Sequence, residues 1–398
     1  MKIEQSPAIH IDDDRVADRT FELVSIPSPT GASDAVAERY SEMLEELGLE
    51  VTLDRHFAGG PNVTGRWAGV GQGPTISFVG HLDTIHAPHV APRRTTDAVH
   101  GRGADDMKGS MAAIVEALAA LRAAGTRLQG TVVVVAHSLH EAPVGKMEGL
   151  RRLVAAGILG EAALVAESFP TQHQILAGKG QAIFTITIKR PGEAVHENYA
   201  ARGTINPIEV AVEVAALLRA RHLELAKEDD IPLLGPETLF LGEIHGGDFY
   251  NRVPVEARLS GIRRFGPGRT WSEIEAEFTT LIQPVANATG ASITVKLEGN
   301  GLGYTVPADA PIVGALAAAH YRVTGRNLPV AGTRSVTDAN IIVRDGGIPA
   351  LCYGPNGNTA HADEERVTVA DLGRAARVFA QVVLEYPNLV VSREATAL

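Results

Sequence analysis

Five residues of metal-ligating type recur at comparable places along this 398-residue chain: His81, Asp106, Glu141, Glu167 and His361. His81 follows the apolar run Ile76–Val79 and Gly80, and Asp83 stands two residues further on. In an extended segment, residues i and i+2 point to one face. An imidazole beside a carboxylate suits a metal ligand and the group that orients it. A lone His-x-Asp is more often a surface pair, so the weight lies in repetition. The β-branched run Thr131–Ala136 leads into Ser138-Leu-His-Glu-Ala142. The short apolar stretch Ala162–Ala166 delivers Glu167. A later one, Ile348–Tyr353, runs into Gly354-Pro-Asn-Gly, with His361 shortly beyond. In open α/β sheets, sites form outside the carboxyl ends of the strands. Asp106 ends a glycine-rich loop ahead of a helix pattern from Ser110 to Ala124. There an N-cap and a metal ligand are equally good readings. Five N/O donors at one rim imply a metal centre, with two metals bridged by a carboxylate. The single cysteine, Cys352, excludes a disulfide within the chain and a thiolate-rich site. His, Asp and Glu must therefore hold any metal.

The elements that carry these residues fall into two styles. Amphipathic helices are expected over 14–25, 34–48 and 148–156. The Thr131–Ala136 run is that of a strand buried on both faces of a parallel sheet. The middle of the chain alternates differently. Strands at 182–189, 237–244, 252–264 and 291–297 and helices at 206–219 and 272–286 give the order βαββαβ, a ferredoxin-like pattern. From Asp309 the first style resumes. The expected fold is α/β, with a mostly parallel-sheet catalytic domain in two parts, 1–180 and 299–398. A ferredoxin-like lid or dimerisation domain, 181–298, is inserted between them. Hinges are expected near Gly178–Gly180 and Gly299–Gly303. The length exceeds what one compact core usually serves. A net charge of −11 argues against nucleic acid or an anionic membrane as partner. The start of the chain lacks an apolar leader, and no stretch has the roughly 20 apolar residues of a membrane span. With the cysteine count, this predicts a cytoplasmic protein. Most of the 14 histidines must be ordinary; His10, His56, His86, His89, His173, His222 and His245 are read as surface or packing residues.

Taken together, Gly80-His-Leu-Asp-Thr84, Gly101-Arg-Gly-Ala-Asp-Asp-Met-Lys-Gly109, Ala166-Glu-Ser168 and Tyr353-Gly-Pro-Asn-Gly…Ala360-His361 are specific. In them the chain resembles, over nearly its whole length, the dinuclear zinc family of acetylornithine deacetylase, succinyl-diaminopimelate desuccinylase, aminoacylase and carboxypeptidase G. The resemblance implies that His81 binds one metal with Asp83 orienting it. It implies that Asp106, not Asp105, bridges the metals, that Glu167 is a terminal ligand, and that His361 binds the second metal. One motif departs. The family usually carries Asp-Glu-Glu after the buried strand, the first Glu a general base and the second a ligand; here the stretch reads Leu139-His140-Glu141. Position by position, His140 falls at the base and Glu141 at the ligand. Three readings stay open: His140 is the base, since its ordinary pKa suits proton transfer at neutral pH; Glu141 is the base, after a one-residue shift of the loop; or the base is lost.

The inserted domain carries further marks. Val195-His196-Glu-Asn resembles the segment whose His reaches the partner subunit's site and holds the oxyanion, which implies a homodimer. Asn251-Arg-Val-Pro254 resembles a substrate-contacting element. Arg264 and Arg334 are candidate clamps for a substrate carboxylate, because guanidinium binds carboxylate in a bidentate fork; a structural ion pair is the equal alternative for each. The expectation is amide hydrolysis of an N-acyl amino acid or small peptide with a free carboxylate. Two divalent ions, Zn²⁺ first, with Co²⁺ or Mn²⁺ compatible, would activate a water. The competing expectations are a catalytically silent relative that binds metal and ligand, and a carbamoyl or amidine hydrolase of the same family.

Overall fold

Side chains from Val132 to His137 are all buried, as the unbroken β-branched run demands. The computed structural model describes residues 9–169 and 171–397. Two compact units divide the chain. The first takes the chain up to Leu176, Thr305–Ala331, and everything from Thr337 onward; the second is Ala177–Tyr304 with Gly332–Val336.

In the first unit the principal strands are β1 (Glu50–Asp54), β2 (Asn62–Ala68), β3 (Val70–His81), β4 (Gln129–His137), β5 (Ala162–Val165), β6 (Gln174–Gly178) and, late in the chain, β11 (Ala350–Cys352). They lie in the order β1-β2-β4-β3-β5-β11-β6. The centre is parallel: β4 with β3, β3 with β5, and β5 with β11. The flanks are antiparallel. His81 is in register with His137, and Val79 with Val165. The carboxyl ends of β3, β4 and β5 therefore open on one edge. Helices α1 (Asp13–Ser25), α2 (Asp34–Glu46), α3 (Lys108–Ala123), α4 (Glu148–Ala155), α7 (Pro311–Thr324), α8 (Asp338–Arg344) and α9 (Val369–Ala397) complete the unit.

Helix α3 is buried on nearly every side from Lys108 to Leu121, as expected of a helix apolar all round. Gly80 lets it approach β3, since a Cβ there would lie 2.5 Å from Met111 Sδ and 2.6 Å from Met107 Cε. The helix starts at Lys108 with Met107 in the N-cap position and no side-chain cap bond. Asp106 is therefore not its cap, and its carboxylate is free for other partners.

The second unit carries β7 (Gly180–Lys189), α5 (Pro207–Leu225), β8 (Thr238–Gly246), β9 (Glu256–Phe265), α6 (Trp271–Thr289) and β10 (Ser292–Gly301). The sheet order is β8-β9-β7-β10, antiparallel throughout. Its core joins Phe184, Ile186 and Leu259 from the strands to Val214, Ile274 and Phe278 from the helices. Asn206 caps α5 by accepting from Ile208 N at 3.1 Å, and Thr270 with Glu273 forms a capping box on α6. The unit also claims Gly332–Val336, which the sequence reading left with the second catalytic part. Lys179 N donates to Thr333 O at 3.1 Å, a backbone tie that local patterning does not reveal. Among the described residues, no helix is long and apolar enough to cross a membrane.

Candidate metal centre

At the open edge of the first unit, four of the five expected ligands meet. His81 Nε2 lies 3.1 Å from Asp106 Oδ1. His361 Nε2 lies 3.2 Å from Asp106 Oδ2 and 3.1 Å from Glu141 Oε1. The fifth, Glu167, follows β5 and is tied to the group by charge: burial first, then the Asp106 carboxylate, pushes it up to about 8. For His81, burial disfavours the charged ring, but the bond to Asp106 and the surrounding carboxylates outweigh it and raise the pKa well above the ordinary value. Hydrogen bonds to Asp106 and Glu141 push His361 up to about 10. Asp106 is depressed despite its burial, chiefly by its bonds to His361 and His81.

Backbone anchors fix this geometry. Glu365 Oε1 accepts from the main-chain N–H groups of Gly103, Asp105 and Asp106 at 3.0, 3.0 and 2.9 Å. Its Oε2 accepts from Arg102 Nη1 at 2.7 Å. Asp105 Oδ2 accepts from Thr359 N and Oγ1 at 2.7 and 3.0 Å, which pins the segment that carries His361. Gly357 is needed there: a Cβ would sit 1.6 Å from Asp105 Oδ1. The neighbours Asp105 and Asp106 thus do different work, one holding the His361 loop and the other facing His361 itself.

Asp83 acts differently from the expectation. His81 Nδ1 donates to the Asp83 backbone carbonyl at 2.9 Å, whereas the carboxylate Oδ1 is 4.0 Å away. The Asp83 carboxylate instead accepts, through Oδ2, from Thr30 Oγ1 and the main-chain N–H groups of His140 and Glu141, at 2.8, 3.0 and 3.0 Å. A carbonyl can only accept, so Nδ1 carries a proton, which leaves Nε2, facing Asp106, as the nitrogen a metal would take.

His140 is not among the converging atoms. Its ring stacks on that of His81, centroids 4.0 Å apart and planes 7° off parallel. Its Nδ1 donates to Asp338 Oδ1 at 3.0 Å, and His137 Nε2 donates to Asp338 Oδ2 at 2.6 Å. Asp338, the first residue of α8, is fully buried. Burial alone would raise its pKa, but the two imidazoles carry it well below the carboxylate range. Burial and the His81 charge lower His140, and Asp338 more than reverses this. Leu139, between the two histidines, has φ 62°, a strained conformation for a residue with a Cβ.

The other expected site residues lie in the second unit. His196 Nε2 accepts from Asn251 Nδ2 at 2.9 Å, in a two-stranded ladder that pairs His196 with Arg252. A cleft of about 510 Å³ beside them is lined by Asn206, Asp248, Tyr250 and Asn251 among others. Arg264 Nη1 donates to the Arg334 carbonyl at 2.6 Å, bringing the two arginines together. The sequence reading missed His137, Asp338, Asp105 and Glu365. Only the His137-x-x-His140 spacing after a strand offered a local signal.

Two divalent cations fit these residues. Each Asp106 oxygen faces a different imidazole nitrogen, the arrangement of a bridging carboxylate. His81 is held in the ligating tautomer. Three carboxyl groups crowd one buried place, which is costly unless positive charge joins them.

An α/β fold that gathers N/O donors at the carboxyl ends of its strands has the donor set of a metal-dependent hydrolase. The chain matches the Peptidase family M20/M25/M40 over residues 77–385 and belongs to it. It is 27% identical to the succinyl-diaminopimelate desuccinylase of Rhodospirillum centenum over 382 residues, 91% of this chain and 95% of that one. Among solved structures it is similar to the aminopeptidase PepT of Bacillus cereus, with a TM-score of 0.79 at 19% identity over 94% of this chain and 99% of that one. It is also similar to the YXEP protein of Bacillus subtilis, described as a dinuclear metal-binding peptidase, with a TM-score of 0.71 at 17% identity over 95% and 98% of the two chains.

Proposed function

We propose that the chain hydrolyses the amide bond of an N-acyl amino acid or small peptide with a free carboxylate, using two zinc ions held by His81, Asp106, Glu141, Glu167 and His361. The observation that carries this is the placement of the two Asp106 oxygens, one at His81 Nε2 and the other at His361 Nε2. When bound, two such cations polarise the amide carbonyl and make a water-derived nucleophile available at neutral pH. Co²⁺ or Mn²⁺ suits the same donors. The chain's own residues do the rest. Asp83 holds the His140–Glu141 main chain, and Glu365 holds the loop of Asp106. Proton transfer falls to His140 or Glu141. His196, whose Nε2 lies 2.9 Å from Asn251 Nδ2, is the residue assigned to the developing oxyanion. Arg334, braced by Arg264, clamps the substrate carboxylate.

A homodimer through the inserted unit, with His196 acting on the partner's site, belongs to the same reading. It is supported by the sheet edge at β8, where Phe240 and Ile244 are 65% and 52% exposed. Closure of that unit as a lid would exclude water from the site. A reducing cytoplasm suits a chain whose one cysteine is buried and in no disulfide.

The test is amine release from a panel of N-acetyl, N-succinyl and N-formyl amino acids and dipeptides, after metal stripping and refilling with Zn²⁺, Co²⁺ or Mn²⁺. Turnover restored by metal on one chemical class supports the reading. Metal bound with no turnover on any member would transfer the argument to a silent binder or to a carbamoyl substrate.

A further inference from the structure

The hydrogen bonds around Asp338 carry an inference about the residue at which this chain departs from its relatives' pattern. We infer that Asp338 is a positioning residue that fixes His140 in the Nδ1–H tautomer, so that His140 Nε2 serves as the proton acceptor of the reaction. This rests on the amide-hydrolase reading above.

The geometry is specific. Both oxygens of a fully buried carboxylate are committed, Oδ1 to His140 Nδ1 at 3.0 Å and Oδ2 to His137 Nε2 at 2.6 Å. An ionised carboxylate only accepts, so each imidazole donates, and the proton of neutral His140 is on Nδ1. The lone pair is then on Nε2, the one nitrogen of His140 that can take a proton. The ring lies parallel to His81 at 4.0 Å, directly beside the metal centre, and its side chain is 13% exposed. His137 closes the other side of Asp338. It is buried at the end of β4 and prevents the carboxylate from turning away. The left-handed Leu139 between the histidines turns the chain so that both reach one carboxylate. A glutamate base would need no such partner, since its two oxygens are equivalent; an imidazole has two distinct nitrogens and must be held one way round.

The step balances. Water oxygen forms the C–O bond at the amide carbonyl carbon. One water proton passes to His140 Nε2 while the Nδ1 proton stays hydrogen-bonded to Asp338. As the C–N bond breaks, Nε2 returns the proton to the leaving amine nitrogen. The acid product releases its remaining proton to solvent.

The same three side chains also place one donor atom each within 4.8 Å of one another and would be compatible with a further cation. That alternative requires both histidines to lose the protons they donate here, and metal stoichiometry tells the two apart.

The experiment reads the His140 tautomer directly. Long-range ¹H–¹⁵N NMR of the zinc-loaded protein, with the His140 signals assigned by their loss in H140E, should show Nδ1–H in the wild type and a shift toward Nε2–H in D338N. An Nε2–H tautomer in the wild type overturns the inference with no variant needed, and an unchanged tautomer in D338N overturns it as well. Kinetics supply the second arm. D338N should lower kcat by roughly 10- to 100-fold, with KM within about twofold and two zinc ions retained. In the H140E background the same substitution should cost less than about threefold, because no imidazole is left to orient. Equal losses in both backgrounds would mean a purely structural role, and a third bound metal in the wild type, lost in D338N, would mean a cation site; either overturns the inference. A wild type with zinc bound and no turnover removes the hydrolase reading, while the NMR arm still decides whether Asp338 sets the tautomer.

Discussion

His361 Nε2 faces Asp106 Oδ2 at 3.2 Å, and the other oxygen of that carboxylate faces His81 at 3.1 Å. A carboxylate so placed serves two ions at once, and its loss should be felt by both. Asp106→Asn should reduce bound metal from the proposed two ions per chain to below one and abolish measurable turnover. His361→Ala should remove only the ion on its own side, leaving one. Elemental analysis after dialysis reads both variants. Two ions retained in D106N would end the bridging role.

Arg334 and Arg264 are brought together by the bond from Arg264 Nη1 to the Arg334 carbonyl. A guanidinium–carboxylate contact is worth about 1.5–3 kcal/mol. Arg334→Ala should therefore raise KM by roughly 10- to 100-fold for substrates with a free carboxylate. Against the matching carboxamide substrates, wild type and variant should be alike. A KM penalty of the same size on both substrate series would assign Arg334 to folding rather than to substrate.

What the sequence revealed and what it hid divide along sequence distance. The β-branched run of β4 and the ligand types at strand ends follow from short-range pattern, and the structure brings His81, Asp106, Glu141 and His361 together. The order of the βαββαβ elements in the second unit was legible for the same reason. The anchors were not. Glu365 reaches main-chain groups about 260 residues earlier, and Asp338 reaches a histidine 198 residues earlier. Neither pairing leaves a periodic trace. Asp83 lay between these cases: its place beside His81 was readable, but not that its carbonyl meets the ring while its carboxylate holds the next strand's loop.

Strand β8 ends its sheet with Phe240 exposed, an edge that invites pairing. Phe240→Lys adds a charge to that edge and should convert the proposed dimer to a monomer in light scattering, with thermal stability of the monomer changed by less than about 0.5 kcal/mol. If His196 serves the partner's site, turnover should fall with the dimer and recover at high protein concentration. A wild type already monomeric at working concentration would refute the shared site.

Arg263 is fully buried in the second unit, with its Nε donating to Glu277 Oε2 at 3.0 Å and Glu237 also in contact. Glu277 Oε1 accepts from Arg221 Nε at 2.8 Å. Burial would raise Glu277, but Arg263 and Arg221 outweigh it and hold the carboxyl below its usual value. A depressed acid contributes stability that is fully present above its unfolded pKa and disappears as pH falls through the lower folded value. The second unit should therefore weaken on acidification below about pH 4.3, the ordinary Glu value. Glu277→Gln leaves Arg263 with less compensation and should cost on the order of 3 kcal/mol at neutral pH. It should also flatten the acid limb, because the titrating group is gone. Urea unfolding of both proteins in a Trp67→Phe background from pH 3 to pH 7, followed by the fluorescence of Trp271 on α6, measures the difference. The gap between the two should close as pH falls. A gap that stays constant across the range would mean that Glu277 acts by shape and hydrogen bonding, not by charge.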